Sequence, residues 1–314
     1  MKVLVDVSNL IMAPYLGKYK QNMLEGFLVE DLENLTRHST LTSLFKYVDM
    51  FDVKYEDIIL CFDSPNCWRN DQFEYYKWKR KNSKKESEID YKKMYEFIET
   101  FYNELNDLMP FSCVKVDKCE ADDIIAELSR KLTGKIVIIT RDKDMLQLKK
   151  ENVMIYDPFT EKWKDTFKDK TIEFPIKNES DAKKMLLYQI LRGDDTDGVP
   201  NLKSDSDCFC NPLKKQERFG PQAIYKLCFS EDSDLNKENA KKLHNDFNKN
   251  WKRNQTMVDM SKTPKEIKTE INNVYGNQNN IEFDKESTIN YCDEHNLFSL
   301  KETVEKIDKS ESLF

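Results

Sequence analysis

Four short apolar runs, separated by segments with helical periodicity, constrain the fold of this chain more than any other feature of its sequence. The runs are Lys2–Asp6, Asp57–Phe62, Lys135–Thr140 and Asn152–Tyr156, with Ser112–Val116 as a weaker fifth. Apolar strands that alternate with helices are typical of a mainly parallel sheet covered on both faces. The sequence therefore predicts an α/β fold, in which ligands bind beyond the carboxyl ends of the strands.

Helices are predicted between these strands and after them. The predicted helices are Leu41–Phe51, Glu88–Leu108, Ala121–Leu132, Asp181–Arg192, Gln222–Phe229, Ala240–Trp251 and Pro264–Asn273. Apolar runs become shorter after Pro200, which predicts a core of residues 1–204 and a smaller helical region of residues 205–314. The very polar stretch Lys77–Lys93 indicates an arch or lid, predicted to span about residues 68–95, although a solvated loop and helix face would have the same composition.

Charge and cysteine usage narrow the classes of protein that fit. The net charge is −7, but basic residues concentrate between Lys77 and Lys85, so net charge does not argue against nucleic acid. The eight cysteines form no CxxC pair, and His38, His244 and His295 lie far apart. Zinc and disulfide sites therefore have weak support, and reduced thiols in a cytoplasm are expected. No signal peptide or membrane-spanning apolar stretch is evident.

Aspartates follow three of the predicted strands at the point where each strand ends. Asp6 ends the first strand, Asp63 follows the second, and Asp142 and Asp144 follow the third. One aspartate after a strand is ordinarily a turn residue or a helix cap. Three in parallel instead place their carboxylates at one edge of the sheet.

Two further acidic clusters join these aspartates. They are Glu120, Asp122 and Asp123 at a predicted helix start, and Asp194, Asp195 and Asp197 after a predicted helix end. Acids in a first helical turn complement the helix dipole, but three in four positions exceed what a cap needs. So many carboxylates repel one another unless cations neutralise them. Oxygen ligands without histidine or cysteine select Mg²⁺, Mn²⁺ or Ca²⁺, and a pair of such ions roughly 3.5–4 Å apart suits phosphodiester hydrolysis.

The order of these motifs resembles the 5′-nuclease superfamily of flap endonucleases and 5′–3′ exonucleases, and within it the ribonucleases H of T-even bacteriophages. The resemblance covers most of the chain and runs through Val3–Asp6, Phe62–Asp63, Glu120–Asp123, Asp142–Asp144, Gly193–Asp197 and Ser204–Phe209. It implies a 5′-nuclease or PIN-like fold with a helical arch and a helical, DNA-binding C-terminal region.

The resemblance also implies an activity and its partners. The expected protein is a monomeric 5′–3′ exonuclease, ribonuclease H and flap endonuclease that removes RNA primers and adjacent DNA during lagging-strand replication, in the host cytoplasm if a phage encodes it. Its expected substrates are RNA–DNA hybrids, duplexes and flap or forked DNA. A single-strand DNA-binding protein and a sliding clamp are expected partners, with the tail Lys309–Phe314 either docking a clamp or fraying.

Carried over by position, the resemblance implies two Mg²⁺ ions, for which Mn²⁺ can substitute. The first site would consist of Asp6, Asp63, Glu120 and Asp122, and the second of Asp142, Asp144, Asp194 and Asp197. Asp142 is expected to lie close to both, and Asp122 is also expected to be essential for catalysis. Asp195 lies in the spacer of the Gly-Asp-x-x-Asp pattern and is expected to contact a metal-bound water or to have no role, and Asp123 fits the acidic helix start that the family shares.

Basic and aromatic residues match the family's arch. Tyr76, Lys77 and Arg80 fit its Tyr-Lys-x-x-Arg pattern, and Arg69 fits an upstream arginine. A cation near the scissile phosphate offsets charge that develops in the transition state, so Lys77 and Arg80 are predicted to be catalytic. Arg69 and Tyr76 are predicted to bind substrate, Tyr76 by stacking on the terminal base, although Tyr76 packing the arch on the core is an equal alternative.

The chain departs from many relatives after Asp197. The segment Asp197–Lys203 lacks the later glycines of the helix–hairpin–helix that holds a monovalent cation in those relatives, so a potassium site has little support. Duplex backbone contacts are instead predicted for the nearby basic residues. These residues are Lys203, Lys214, Lys215 and Arg218.

Three other functions remain as alternatives. A PIN-like endoribonuclease would also use aspartates at strand ends, but would need neither the arch nor the long C-terminal region. A non-catalytic, structure-specific DNA-binding protein would be expected to have lost several acids. A metal-dependent phosphatase would not explain the arch.

Overall fold

The computed structural model describes residues 1–25, 29–87, 89–229, 247–278 and 283–307. Its main sheet has the strand order β3-β2-β1-β4-β5-β6, in which β6 alone runs antiparallel to its neighbour. The strands are β1 Lys2–Asp6, β2 Ile58–Phe62, β3 Ser112–Lys115, β4 Ile136–Ile139, β5 Val153–Asp157 and β6 Lys162–Trp163. The predicted α/β class and its five strands are confirmed. Buried apolar residues on both faces of β1 to β5 favour a sheet covered on both sides.

Helices cover both faces of this sheet. They are α1 Val7–Glu25, α2 Val29–Phe51, α3 Trp68–Gln72, α4 Trp78–Lys85, α5 Tyr91–Leu108, α6 Ala121–Lys131, α7 Glu179–Arg192, α8 Pro221–Phe229, α9 Phe247–Val258, α10 Lys265–Gln278, α11 Lys285–Glu294 and α12 Phe298–Glu305. A small hairpin of β7 Thr166–Asp169 and β8 Ile172–Pro175 precedes α7.

The alternation of side chains along the strands divides the interior into two cores. In β1, Leu4 packs with α6, α7 and α10, whereas Val3 and Val5 pack with α1, α2, α5, α11 and α12. Successive side chains of a strand point to opposite faces, so each of the strands β1 to β5 contributes to both cores. Residues after the predicted boundary at 204 contribute to both as well, for example Ile271 and Tyr291.

The predicted arch, residues 68–95, contains α3, α4 and the beginning of α5. Its base is fixed by a third apolar cluster, in which Trp68, Phe73 and Tyr76 pack on Val199 and Met257. The arch therefore emerges from a well-packed base rather than from a free loop.

Several predicted ends differ from the structure. Helix α2 begins at Val29, twelve residues before its predicted start, because its first half buries Leu32, Thr36 and Arg37 rather than a continuous apolar stripe. The predicted helix Ala240–Trp251 lies partly outside the described residues and extends to Val258. The predicted clamp-docking tail also lies outside the described residues. Among the described helices, none has the length and apolar character required to cross a membrane.

Candidate metal centre

The carboxyl ends of adjacent parallel strands bring the first acidic residues together. Asp6 is the last residue of β1, and Asp63 directly follows β2, which pairs with β1. Asp142 and Asp144 follow β4, which pairs with the other side of β1. The predicted convergence at one sheet edge is therefore present.

Asp6 is held at the centre of this edge. It is 4% exposed, its Oδ2 accepts a hydrogen bond of 2.9 Å from Thr140 Oγ1, and the Asn9 amide donates to the same oxygen. Burial, followed by repulsion from Asp63, raises the pKa of Asp6 to about 7 despite these hydrogen bonds. The carboxylate is thus fixed in position but lacks a compensating positive charge.

The start of α6 joins the edge through Asp63. The Ala121 amide donates to Asp63 Oδ1 at 2.8 Å, which places Glu120 and Asp122 beside the strand ends. Burial and the negative charges of Asp142 and Asp6 raise the pKa of Asp122 well above its usual range. This part of the site favours a cation.

The loop after α7 supplies two more carboxylates by way of a tight turn. The main chains of Asp194 and Val199 exchange two hydrogen bonds of 2.8 Å, and Asp194 Oδ1 accepts from the Asp197 amide at 3.2 Å. Gly193 has φ +67°, and a β-carbon there would lie 2.4 Å from the Val199 and Pro200 carbonyl oxygens. Only glycine fits this position, so the glycine of the motif is required by the turn that presents Asp194 and Asp197.

Asp144 links the strand-end group to this loop. Its amide donates to Asp142 Oδ1 at 2.8 Å, and its side chain accepts a bond of 2.7 Å from Gln189 of α7. Burial, together with repulsion from Asp142 and Asp194, raises the pKa of Asp144 well above its usual range.

The carboxylates line two adjoining spaces. A cavity of about 30 Å³ is lined by Glu120, Asp122, Asp144, Asp194 and Asp197. Asp63 and Glu120 also border a cleft of about 560 Å³ between the core and the arch. Within the described ranges, no three of these acids are close enough to enclose an ion by themselves, so water would have to complete its coordination, as is usual for Mg²⁺.

Two arch cations contact this acidic edge. The Lys77 ammonium pairs with Glu120, and Arg80 Nη2 lies 3.1 Å from Asp197 Oδ1. Although burial opposes it, attraction to Lys77 and then Arg69 lowers the pKa of Glu120 to about 2. Lys77 has φ +55°, a left-handed conformation that non-glycine residues rarely adopt, and its amide donates to the Asp197 carbonyl at 2.8 Å.

Arg69 and Tyr76, which the sequence predicts to bind substrate, are buried beside Glu120. Each is 3% exposed. Arg69 donates two hydrogen bonds of 2.9 Å to Asp123 and another of 2.9 Å to Glu120, and the Tyr76 hydroxyl donates to Glu120 at 2.9 Å. Both side chains therefore orient Glu120, and their predicted contacts with substrate stay a prediction.

Asp123 belongs to the same buried assembly. It is fully buried, and its carboxylate accepts from Trp68 at 3.1 Å and Thr263 at 2.7 Å in addition to Arg69. Asp123 therefore ties the arch base to α6 and to the C-terminal segment rather than facing the cavity.

The predicted duplex-binding lysines lie apart from the carboxylates in different environments. Lys214 pairs with Asp205 at 3.1 Å and with Asp207 at 2.8 Å. The Lys203 ammonium lies 5.0 Å from the centre of the Phe219 ring, and Lys215 is exposed. Lys214 would have to exchange these two aspartates for a phosphate, and the duplex contacts of the three lysines stay a prediction.

Three polar residues at the site were missed by the motif reading. Asn9 and Thr140 hold Asp6, and Gln189 holds Asp144. Asn9 lies one helical turn after Asp6, and Thr140 lies two residues before Asp142, so proximity to the acidic motifs could have indicated both. Gln189 carries no comparable sequence signal.

Fold and site together define a class of protein: an α/β sheet whose carboxyl edge gathers acids beneath a basic helical arch, as in the 5′-nuclease superfamily. Residues 1–176 match the family model described as 5′-3′ exonuclease, N-terminal resolvase-like domain. The chain belongs to this 5′–3′ exonuclease family. It is therefore a member of a nuclease family, and the resemblance seen in its sequence is confirmed.

Individual relatives agree with this assignment. The chain is 30% identical over 251 residues to Ribonuclease H of Enterobacteria phage T4, covering 77% of both chains. It is 27% identical over 210 residues to Flap endonuclease Xni of Colwellia psychrerythraea, covering 63% of this chain and 67% of the relative. The solved T5 D15 protein co-crystallised with metal ions has a TM-score of 0.60 at 14% identity, covering 89% of this chain and 98% of that one, which supports the fold.

Proposed function

We propose that this protein is a Mg²⁺-dependent 5′–3′ exonuclease with ribonuclease H and flap endonuclease activity, which removes RNA primers and adjacent DNA during lagging-strand replication. The observation that carries the proposal is the gathering of eight carboxylates at one sheet edge beneath Lys77 and Arg80. Unmatched negative charge in a buried site calls for cations, and the arch cations suit a phosphodiester substrate.

The residues fit divalent metal ions. The donors are all carboxylates, and Asp197 Oδ1 is buried without a hydrogen bond among the described residues, although Arg80 lies nearby. Asp6, Asp63, Glu120 and Asp122 would hold one ion. Asp142, Asp144, Asp194 and Asp197 would hold the other. When bound, such ions activate water and stabilise the leaving oxygen.

The remaining steps belong to the chain's own side chains. Lys77 and Arg80 would exchange their carboxylate partners for the scissile phosphate and offset its developing charge. Tyr76 and Arg69 would hold Glu120 in place, and the cleft of about 560 Å³ would admit the unpaired 5′ strand beneath the arch.

The relatives support the substrate class. One is a ribonuclease H and another a flap endonuclease, and a solved T5 flap endonuclease is described in a pseudo-enzyme-product complex with DNA and metal ions. That structure has a TM-score of 0.55 and 13% identity, and it covers 88% of this chain and 98% of the other. The proposed protein partners, a single-strand DNA-binding protein and a sliding clamp, rest on the resemblance alone.

Product mapping on 5′-labelled RNA–DNA hybrids and DNA flaps, with Mg²⁺ or with EDTA, tests this function. We expect metal-dependent release of short 5′ products that Asp122→Asn abolishes while substrate binding persists. Internal cuts in unpaired RNA regardless of 5′ ends would instead indicate a PIN-like endoribonuclease. Binding without cleavage in any metal would indicate a non-catalytic protein.

A further inference from the structure

Gln189 is a buried polar residue at the acidic edge that belongs to none of the acidic motifs. It lies in α7, the helix that ends just before Asp194, and is 6% exposed. Its Nε2 donates a hydrogen bond of 2.7 Å to Asp144 Oδ1. An amide nitrogen donates hydrogen bonds and an amide oxygen accepts them, so this contact places Nε2 towards Asp144 and Oε1 away from it.

The other end of the amide lacks a partner. Gln189 Oε1 is buried and accepts no hydrogen bond among the described residues. Buried polar atoms are nearly always paired, and an exception calls for an explanation. Gln189, Asp144 and Asp194 line a common cavity of about 180 Å³, which has room for water molecules.

Three basic residues line this cavity, Lys143, Lys170 and Arg192, and none of them donates a hydrogen bond to Gln189 Oε1. Arg192 lies 3.2 Å from Asp169 and 3.1 Å from Asp195, so its guanidinium has two carboxylate partners of its own. A water molecule polarised by a cation between Asp144 and Asp194 would provide the missing donor for Gln189 Oε1.

We propose that Gln189 is a positioning residue for the second metal site: its amide nitrogen fixes Asp144, and its carbonyl oxygen accepts a hydrogen bond from a water bound to the ion. The inference rests on the proposed function, because it assumes a divalent ion at Asp144 and Asp194. Groups that orient metal ligands in this way contribute strongly to affinity.

The test is a Mn²⁺ titration of the full-length chain without nucleic acid, in which electron paramagnetic resonance measures the concentration of free Mn²⁺. Gln189→Met keeps the length of the side chain and removes both hydrogen bonds. We expect one class of Mn²⁺ site to weaken about 10- to 100-fold and the other to keep its affinity. Gln189→Asn keeps the amide but shortens the side chain, so we expect the same loss of Mn²⁺ affinity. This variant replaces Gln189→Met if the methionine variant does not fold.

Gln147 provides a matched control, because it lies with Asp144 in the short 3-10 helix Asp144–Leu148. Its amide contacts main-chain atoms, Val258 O at 3.3 Å and Met260 N at 3.1 Å. Gln147→Met is expected to leave both Mn²⁺ affinities unchanged.

A second readout separates positioning from general damage. In Gln189→Met the Mg²⁺ midpoint for cleavage should rise by the same 10- to 100-fold, with the rate recovered at saturating Mg²⁺. Unchanged Mn²⁺ binding in both folded Gln189 variants, or a rate lowered equally at all Mg²⁺ concentrations, would overturn the role of Gln189 while leaving the proposed function intact. Absence of Mn²⁺ binding by the wild-type chain would overturn both.

Discussion

Two buried groups of charged side chains in this molecule are balanced in opposite ways. In the first, which we call the Arg37 cluster, Arg37 donates to both oxygens of Glu104 at 2.7 and 2.9 Å, and the Tyr291 hydroxyl donates to Glu104 at 2.7 Å. The second group consists of the eight acids of the candidate metal centre. Within the described residues, two of the eight form an ion pair, Glu120 and Asp197.

The two clusters distinguish buried charge that stabilises the fold from buried charge that requires a ligand. The Arg37 cluster joins α2, α5 and α11 and satisfies its own charges, so it needs nothing from outside. Most of the eight acids of the metal centre accept hydrogen bonds, but most have no cationic partner among the described residues. Burying them therefore raises the free energy of the native state unless a cation binds. A matched cluster stabilises the fold, whereas an unmatched one predicts a ligand.

The largest expected effect comes from removing one charge of the unmatched cluster. Asp122→Asn should lower the cleavage rate on the order of 10³-fold, because charge stabilisation at a reacting phosphate contributes several kcal/mol. The metal-free variant should be at least as stable as the wild type, because Asp122 is repelled by Asp142 and Asp6. Single-turnover cleavage and thermal unfolding in EDTA measure the two effects.

The neighbouring residue is the control for that substitution. Asp123 has an Arg69 ion pair and a Thr263 hydrogen bond, so Asp123→Asn should lower the melting temperature where Asp122→Asn does not. Equal destabilisation by the two substitutions would contradict the distinction between matched and unmatched charge.

Breaking the matched cluster should affect stability and not chemistry. Arg37→Ala leaves Glu104 buried without its cation, so we expect a loss of about 3–5 kcal/mol in the free energy of unfolding. Urea unfolding measures this loss, and the cleavage rate at a temperature where the variant is folded should equal that of the wild type. Replacing both partners with methionine should cost less, and a greater loss from the double replacement would argue against this account.

Divalent metal should stabilise the molecule through one cluster only. At 100 times its dissociation constant, each bound Mg²⁺ should add about 2.7 kcal/mol to the free energy of unfolding. Asp122→Asn should lose the gain from the first ion and Arg37→Ala should keep the whole gain, which unfolding curves over a Mg²⁺ titration can determine. An equal gain in all three proteins would place the binding elsewhere.

The smallest expected effect is a change in acid sensitivity through Glu104. Burial opposes ionisation, but the hydrogen bonds from Arg37 and Tyr291 lower the pKa of Glu104 below its usual value. A lowered folded-state pKa contributes stability above the unfolded-state value of about 4.3, and this contribution is lost as the pH falls through the folded-state pKa. Glu104→Gln should therefore flatten the acid side of the stability profile measured by urea unfolding in EDTA; an unchanged slope would contradict the assignment.

The sequence predicted the strands and the acidic edge well, because both depend on local patterns. Each strand is a short apolar run, and parallel pairing sends its following aspartate to one edge whatever the connecting segments do. Asp6, Asp63 and Asp142 therefore needed no long-range information.

The arch base and the supporting shell could not be predicted in this way. Arg69 is buried because Asp123 and the Met257 carbonyl, both far away in sequence, receive its hydrogen bonds. Gln189 meets Asp144 because α7 packs beside the short helix that begins at Asp144. Such contacts follow from tertiary packing, which no motif spacing encodes.

The backbone contact between Lys77 and Asp197 determines which parts of the arch can be engineered. The Lys77 amide binds the Asp197 carbonyl, and a β-carbon at Gly198, which has φ +75°, would lie 2.6 Å from the Tyr75 carbonyl oxygen. Main-chain contacts thus set the spacing between Lys77 and the turn that presents Asp194 and Asp197, independently of the residues that follow Lys77. The arch segment Lys81–Ser87 can therefore be redesigned in length and charge, provided that Arg80 is kept for its proposed role and Gly198 stays glycine.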